Sequence, residues 1–383
     1  MRLLVPFGTR PEIVKLAPVV AALRDAGHDV HTIATGQQND PMLADRFFED
    51  LGLTPDERWA LPRPEAERVG ALLTNAFEAL GHYPVDAVVL LGDTYTVPLF
   101  GLAARRYEVP VAHLEAGLRS FNERSLEEVN RRAVGAMSSL HLAPTPLAAR
   151  FLADDGVRAA RIHVVGNPIT DTLRLHGPRR HPADERVGVV VTAHRATNVD
   201  NPARLAQVAT IVRRLAVEVG PVRFPVHPRT RDRLASSGTL DELGAAPDVE
   251  LCDPLPYPEM LAAIASARVV VTDSGGLQEE AAWLGVPCVV LRTSTPRWEG
   301  VESGIAALTG LDADRAVGAA ATFNGSEEQA RVAGVPCPYG DGHVGPRVAA
   351  LLADPAVQAV LALEEPRLDD PRPIMTPVEV AAR

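Results

Sequence analysis

Short β-branched apolar runs alternate along this chain with longer Ala/Leu/Arg segments of helical period. The apolar runs predict strands over 2–7, 30–35, 86–91, 109–114, 140–143 and 162–165. A second set is predicted over 187–192, 224–226, 249–252, 269–272 and 288–291. The segments between them, such as 11–26 and 201–219, are long enough for crossover helices. Strands apolar throughout and separated by helices are buried on both faces, which is the pattern of parallel sheets. Two successive sets imply an α/β protein with two doubly wound, Rossmann-like domains. The polar, Pro-rich stretch LRLHGPRRHPADE puts the boundary between Asn167 and Glu185. Domains over 1–170 and 171–348 are therefore expected, with a helix and tail over 349–383. Four prolines and several acids from Glu364 onward suggest an extended or surface-packed end.

A length of 383 residues suits two domains, and 46% apolar residues suffice for a large aliphatic core. The net charge of −11, with no basic cluster, disfavours nucleic acid and anionic membranes as partners. Cys252, Cys288 and Cys337 are odd in number and widely spaced, so neither a disulfide framework nor a zinc site is expected. Arg10 comes too soon for a signal-peptide apolar region, and no run of 18 apolar residues occurs, so a cytoplasmic protein is expected. Lys15 is the single lysine among 38 basic residues. Its position either is the last left by a bias towards arginine or tolerates no arginine.

The candidate chemistry lies where strands end. After the first strand, Gly8 permits a tight turn and Pro11 suits a helix start. The free N–H groups of such a start attract anions, and Arg10 and Lys15 add positive charge beside them. Neither GxGxxG nor a Walker A loop is present, so nicotinamide and ATP lack their fingerprints. Asp93 and Glu115 each follow an apolar strand, which places two half-buried carboxylates on a cleft rim. Glu127 and Glu128 open a helix, where ordinary dipole stabilisation is an alternative to chemistry. In the second half His194 and His227 stand at equivalent strand ends. Ser274, Gly275 and Gly276 form a turn into a helix, suited to cradling a phosphate, and Glu280 lies one turn on, placed to accept from hydroxyls. A cleft with a diphosphate grip from both domains and several acids suggests a nucleotide-sugar enzyme, with transferase and isomerase both open.

The motifs FGTRPEIVKLAP, GDT, HLEAGLRS, EEVNRR, GNP, TAHR, VHP, TDSGGLQEEA and LGVPCVVLR stand in order over about residues 2–350. In this the chain resembles the bacterial non-hydrolysing UDP-N-acetylglucosamine 2-epimerases. The resemblance implies the GT-B architecture, with the active site between two domains and a C-terminal helix, beginning near Arg347, that crosses back to the first. It implies a homodimer without metal or nicotinamide. It also implies interconversion of UDP-GlcNAc and UDP-ManNAc by elimination of UDP to 2-acetamidoglucal and re-addition. Asp93, Glu115 and Glu127 match the family's catalytic carboxylates, with His194 beside them. Arg10, Lys15, His194, His227, Ser274, Gly275, Gly276 and Glu280 match substrate contacts. A hydrolysing relative, a GT-B glycosyltransferase and a silent nucleotide-sugar binder are the competing readings.

Several positions depart from the family pattern. Gln38 stands for a histidine, and Glu67-Arg68 for the region of a Gln-Thr pair. Both regions bind an activating second UDP-GlcNAc in some members, so the resemblance does not carry that regulation over to this chain. Thr197 replaces a glutamate, Leu126 a proline and Met260 an aromatic, and Trp298 replaces a proline.

Overall fold

A computed structural model describes residues 1–37, 48, 51–62 and 64–363. Gln38 and the segment from Glu364 lie outside the described residues. Strands β1 (Arg2–Phe7), β2 (Asp29–Ala34), β3 (Glu57–Arg58), β4 (Ala87–Leu91), β5 (Val111–Leu114), β6 (Leu140–Ala143) and β7 (Ile162–Val164) form one parallel sheet, in the order β3-β2-β1-β4-β5-β6-β7. A second parallel sheet has the order β10-β9-β8-β11-β12-β13. It comprises β8 (Val189–Thr192), β9 (Val222–Pro225), β10 (Val249–Cys252), β11 (Val269–Thr272), β12 (Cys288–Val290) and β13 (Ala306–Leu308). The central strands β4, β5, β8 and β11 are buried at every position, as runs apolar on both faces require. The molecule is thus two doubly wound parallel-sheet layers with helices on both faces, the GT-B architecture.

All eleven expected strands are present, and β3 and β13 add one edge strand to each sheet. β3 is two polar residues, Glu57 and Arg58, registered on Ile33 and Ala34, so it has no apolar run to announce it. The chain at Val187 is not yet strand. It is 70% exposed, and Gly188 at φ 69° turns the backbone before β8 begins.

The connection between the sheets is tightly held. In helix Arg10–Asp25, Pro18 has no N–H to offer the carbonyl of Val14. The Thr172 hydroxyl, from helix Ile169–His176, donates to that carbonyl at 2.5 Å. One residue earlier, buried Asp171 accepts the Val344 and Gly345 N–H groups, each at 2.9 Å, and so caps helix Val344–Ala353. That helix packs on Arg10–Asp25 and inserts Val344, Val348 and Leu352 into the core of the first sheet. Gly345 is required there, because a Cβ would stand 2.8 Å from the Pro18 carbonyl oxygen.

Candidate functional site

In each sheet the chain reverses its winding direction at one pair of neighbouring strands, β1/β4 in the first and β8/β11 in the second. Ligands in doubly wound sheets bind beyond the carboxyl ends of such strands. Gly8–Lys15 follows β1 and Asp93 follows β4, while His194 follows β8 and Asp273–Gly276 follows β11. Arg10, Lys15, Asp93, His194 and Ser274–Gly276 therefore stand at the two switch points, while Glu115 follows β5, His227 follows β9 and Glu127 lies in the first turn of helix Leu126–Met137.

The first cluster surrounds Glu115, a buried residue with φ 61°. A left-handed backbone at a non-glycine residue costs on the order of 1–3 kcal/mol and is retained where the surroundings demand it. Glu115 Oε1 accepts from Lys15 Nζ at 2.5 Å and from Asn167 Nδ2 at 2.9 Å. Burial alone would raise this carboxyl, but Lys15, Arg297 and the Asn167 amide outweigh it and hold the group well below the usual carboxylate range. Asp93 is half-buried and paired with Arg131. Burial dominates there, aided by the negative charges of Glu115 and Glu127, and raises its pKa despite Arg131 and Arg297. Two acids of one cluster are thus driven in opposite directions.

The buried ammonium of Lys15 bridges Glu115 of the first half, at 2.5 Å, to Glu279 of the second, 3.0 Å away. Glu279 is fully buried and also accepts from Asn167 Nδ2 at 2.9 Å and Arg297 Nε at 2.8 Å. Asn167, Glu279, Arg297 and Arg131 were not among the expected site residues. Only the charge balance of the folded cluster brings them in, and no spacing along the chain signals it.

The two acids that open helix Leu126–Met137 separate in role. Glu128 is buried and accepts from the Ser120 N–H, the Ser120 hydroxyl and Arg131, so it anchors the loop. Glu127 is half-buried and accepts from the Ser125 hydroxyl. Burial pushes its carboxyl up, but that bond, its own N–H and the charges of Arg195 and Arg131 bring it below the usual range.

The second cluster is built on fully buried Asp273, which accepts from the N–H groups of His194 and Arg195 and from Asn198 Nδ2. The rings of His194 and His227 lie 5.8 Å apart. Burial lowers both pKa values, and the nearby Arg10 charge adds to the effect. The shift favours the neutral ring at both histidines, with one N–H donor and one acceptor nitrogen each. His227 Nδ1 accepts from the Arg229 N–H, which leaves its Nε2–H for a ligand.

Ser274 precedes helix Gly275–Leu284, and a Cβ built on Gly276 meets nothing within 4 Å. The helix N-terminus is thus bare on that side, as an anion cradle needs to be. Glu280, buried one turn on beside Tyr257, is raised to about 7, chiefly by burial and then by the charge of Glu279. Arg292 is buried near Arg195 and Arg297, and burial together with those like charges lowers it to about 9. The resulting cleft has acids on the first half and donors with a helix N-terminus on the second. Among the described residues no cluster of three or more His, Cys, Asp or Glu could hold a metal ion.

The family model for UDP-N-acetylglucosamine 2-epimerase matches residues 21–353. The UDP-N-acetylglucosamine 2-epimerase of Methanocaldococcus jannaschii is 35% identical over 92% of this chain and 99% of its own. Its crystal structure in complex with UDP-GlcNAc and UDP superposes with a TM-score of 0.82, covering 92% of this chain and 99% of that one. The UDP-2,3-diacetamido-2,3-dideoxy-D-glucuronate 2-epimerase of Pseudomonas aeruginosa is 33% identical over 92% of this chain and 99% of its own. Acinetobacter baumannii MurG, 14% identical with a TM-score of 0.55 over 91% of this chain and 98% of its own, shares the fold alone. A family model spanning most of the chain, together with relatives above 30% identity over nearly its whole length, establishes that this chain belongs to the UDP-N-acetylglucosamine 2-epimerase family.

Proposed function

We propose that the protein is an isomerase that interconverts UDP-GlcNAc and UDP-ManNAc by eliminating UDP and adding it back. The observation that carries this reading is a cluster in which Asp93, Glu115 and Glu127 feel one another's charge together with that of Arg297, whose guanidinium carbon stands 3.3 Å from a Cβ built on Gly275 at the start of the second half's bare helix. The C2 proton is not adjacent to a carbonyl, so loss of the anomeric C–O bond must accompany its removal and build oxocarbenium character. Glu115, charged throughout the working pH range, favours that positive charge. Asp93, with its raised pKa, and Glu127 are suited to exchange the proton, since one carboxylate cannot reach both faces of C2. Arg10, the neutral histidines and the Ser274–Gly276 turn receive the departing UDP, and Glu280 takes a hydroxyl of the nucleotide. Lys15 acts one step back by holding Glu115.

Incubation with UDP-GlcNAc in D2O, followed by NMR, tests the reading. Deuterium at C2 and a UDP-ManNAc signal are expected. Free ManNAc would mark a hydrolase, and an unchanged spectrum would remove both readings. Because the Pseudomonas relative carries the name of a different UDP-sugar at nearly equal identity, its substrate belongs in the same assay.

Two further statements belong to this reading. A homodimer is supported by an exposed apolar stripe on the outer face of helix Leu126–Met137, formed by Leu126, Val129, Ala133 and Ala136. A cytoplasmic location is supported by three free cysteines, as in a reducing compartment. No single helix among the described residues is long and apolar enough to cross a membrane.

A further inference from the structure

Elimination breaks two bonds. The C1–O pair leaves with UDP, and the C2 proton passes to a carboxylate. Nothing covalent then holds the glucal, so the cleft must stay shut until the proton returns on the other face and UDP closes the C–O bond again. Bonds that cross between the halves therefore matter most while the intermediate exists.

Two such bonds lie beside Arg297. The Trp298 indole N–H donates to the carbonyl oxygen of Arg119 at 2.9 Å, joining positions 179 residues apart. Glu299, the next residue, accepts from the hydroxyl of Thr145. Arg119 lies in the segment that runs from Glu115 to Glu127. Asp155 holds its guanidinium at 2.6 Å, and Glu128 holds the N–H of Ser120 at 2.8 Å, so the first half fixes this segment from one side. Trp298 fixes it from the other. Arg297, immediately before it, binds Glu279 and adds its charge to Asp93 and Glu115. A proline at position 298, as in the resembling pattern, has no such donor.

We propose that Trp298 is a positioning residue, whose indole N–H latches the segment between Glu115 and Glu127 to the second half and keeps the cleft closed over the untethered glucal. The inference rests on the epimerase reading, and its readouts separate the two. In Trp298→Phe the ring remains and the N–H is lost. In Trp298→His the Nε2–H stands where the indole N–H was. Free glucal and UDP released per UDP-ManNAc formed should rise roughly fivefold in Trp298→Phe, the scale of one lost hydrogen bond, with UDP Kd and melting temperature close to wild type. Trp298→His should leak like wild type. Equal leakage in wild type and Trp298→Phe overturns the proposal, as does equal raised leakage in both variants. A measurement on the wild-type protein is independent of turnover and of how the variants fold. The Trp298 indole N–H, observed with 15N-tryptophan and assigned against Trp59 and Trp283, should exchange with D2O more slowly once UDP is bound. Exchange at the rate of a free indole in that complex overturns the latch. If wild type acts on no UDP-sugar, the epimerase reading falls and the indole exchange alone decides the bond.

Discussion

Glu280 shows how a binding group can work against the fold. Its folded-state pKa, raised from 4.5 to about 7, means that the folded protein holds a proton that the unfolded chain has already released between those values. Its contribution to stability is complete below about 4.5 and is lost as pH rises through 7, a loss of roughly 3 kcal/mol. Glu280→Gln keeps the shape and removes the titration. Urea unfolding should therefore find this variant gaining on wild type between pH 5 and pH 8 by most of that amount, while calorimetry finds weaker UDP binding. A constant difference across that range would remove the burial argument. The same scale explains what the sequence could reveal. Asp93 and Glu115 were legible because a carboxylate straight after an apolar strand is conspicuous. Lys15 was conspicuous as the single lysine, but its partners were not. Glu279 stands inside an ordinary helical stretch, Asn167 lies in a connection and packs against residues 52 and 112 positions away, and Arg297 meets Glu279 across 18 positions of loop and strand.

Helix Gly275–Leu284 makes a prediction that separates folding from function. Two glycines at the start of a helix sacrifice backbone entropy, and replacing one by alanine ordinarily gains about 1 kcal/mol. At Gly276 the added methyl meets no atom within 4 Å, so the protein has no internal reason to refuse it. On the proposed function that space takes the diphosphate. Gly276→Ala should melt at or above the wild-type temperature and yet bind UDP at least tenfold more weakly, about 1.4 kcal/mol. Unchanged UDP affinity by calorimetry would show that the helix start does not hold the diphosphate. At the level of elements the sequence was read well where burial is symmetrical, since β4, β5, β8 and β11 are apolar at every position. It missed β3 and β13, edge strands of two and three residues, of which β3 is polar and β13 is an apolar stretch too short to stand out from its surroundings.

For the whole molecule, helix Leu126–Met137, which carries Glu127 in its first turn, presents a smooth outer face. Leu126, Val129, Ala133 and Ala136 recur at three- and four-residue spacing and point away from the sheet, with Leu126 46% and Val129 51% exposed. The opposite face of the helix is spent inside the protomer, where Val134 is fully buried and Asn130 donates to the Asp93 carbonyl at 2.8 Å. Small apolar residues at that spacing suit close packing against a second helix. A second copy of the chain, meeting this one about a two-fold axis, would cover both stripes at once. The consequence reaches the site, because a helix clamped between its own sheet and a partner holds Glu127 and the Asp93 carbonyl more rigidly than a helix with one free face. Val129→Asp puts a charge in the middle of the stripe and touches no residue of the cleft. Sedimentation should turn a dimer into a monomer, with the melting transition still cooperative and kcat reduced more than UDP affinity. A variant that stays dimeric would move the interface elsewhere, and a wild-type protein that sediments as a monomer would leave the stripe without its partner.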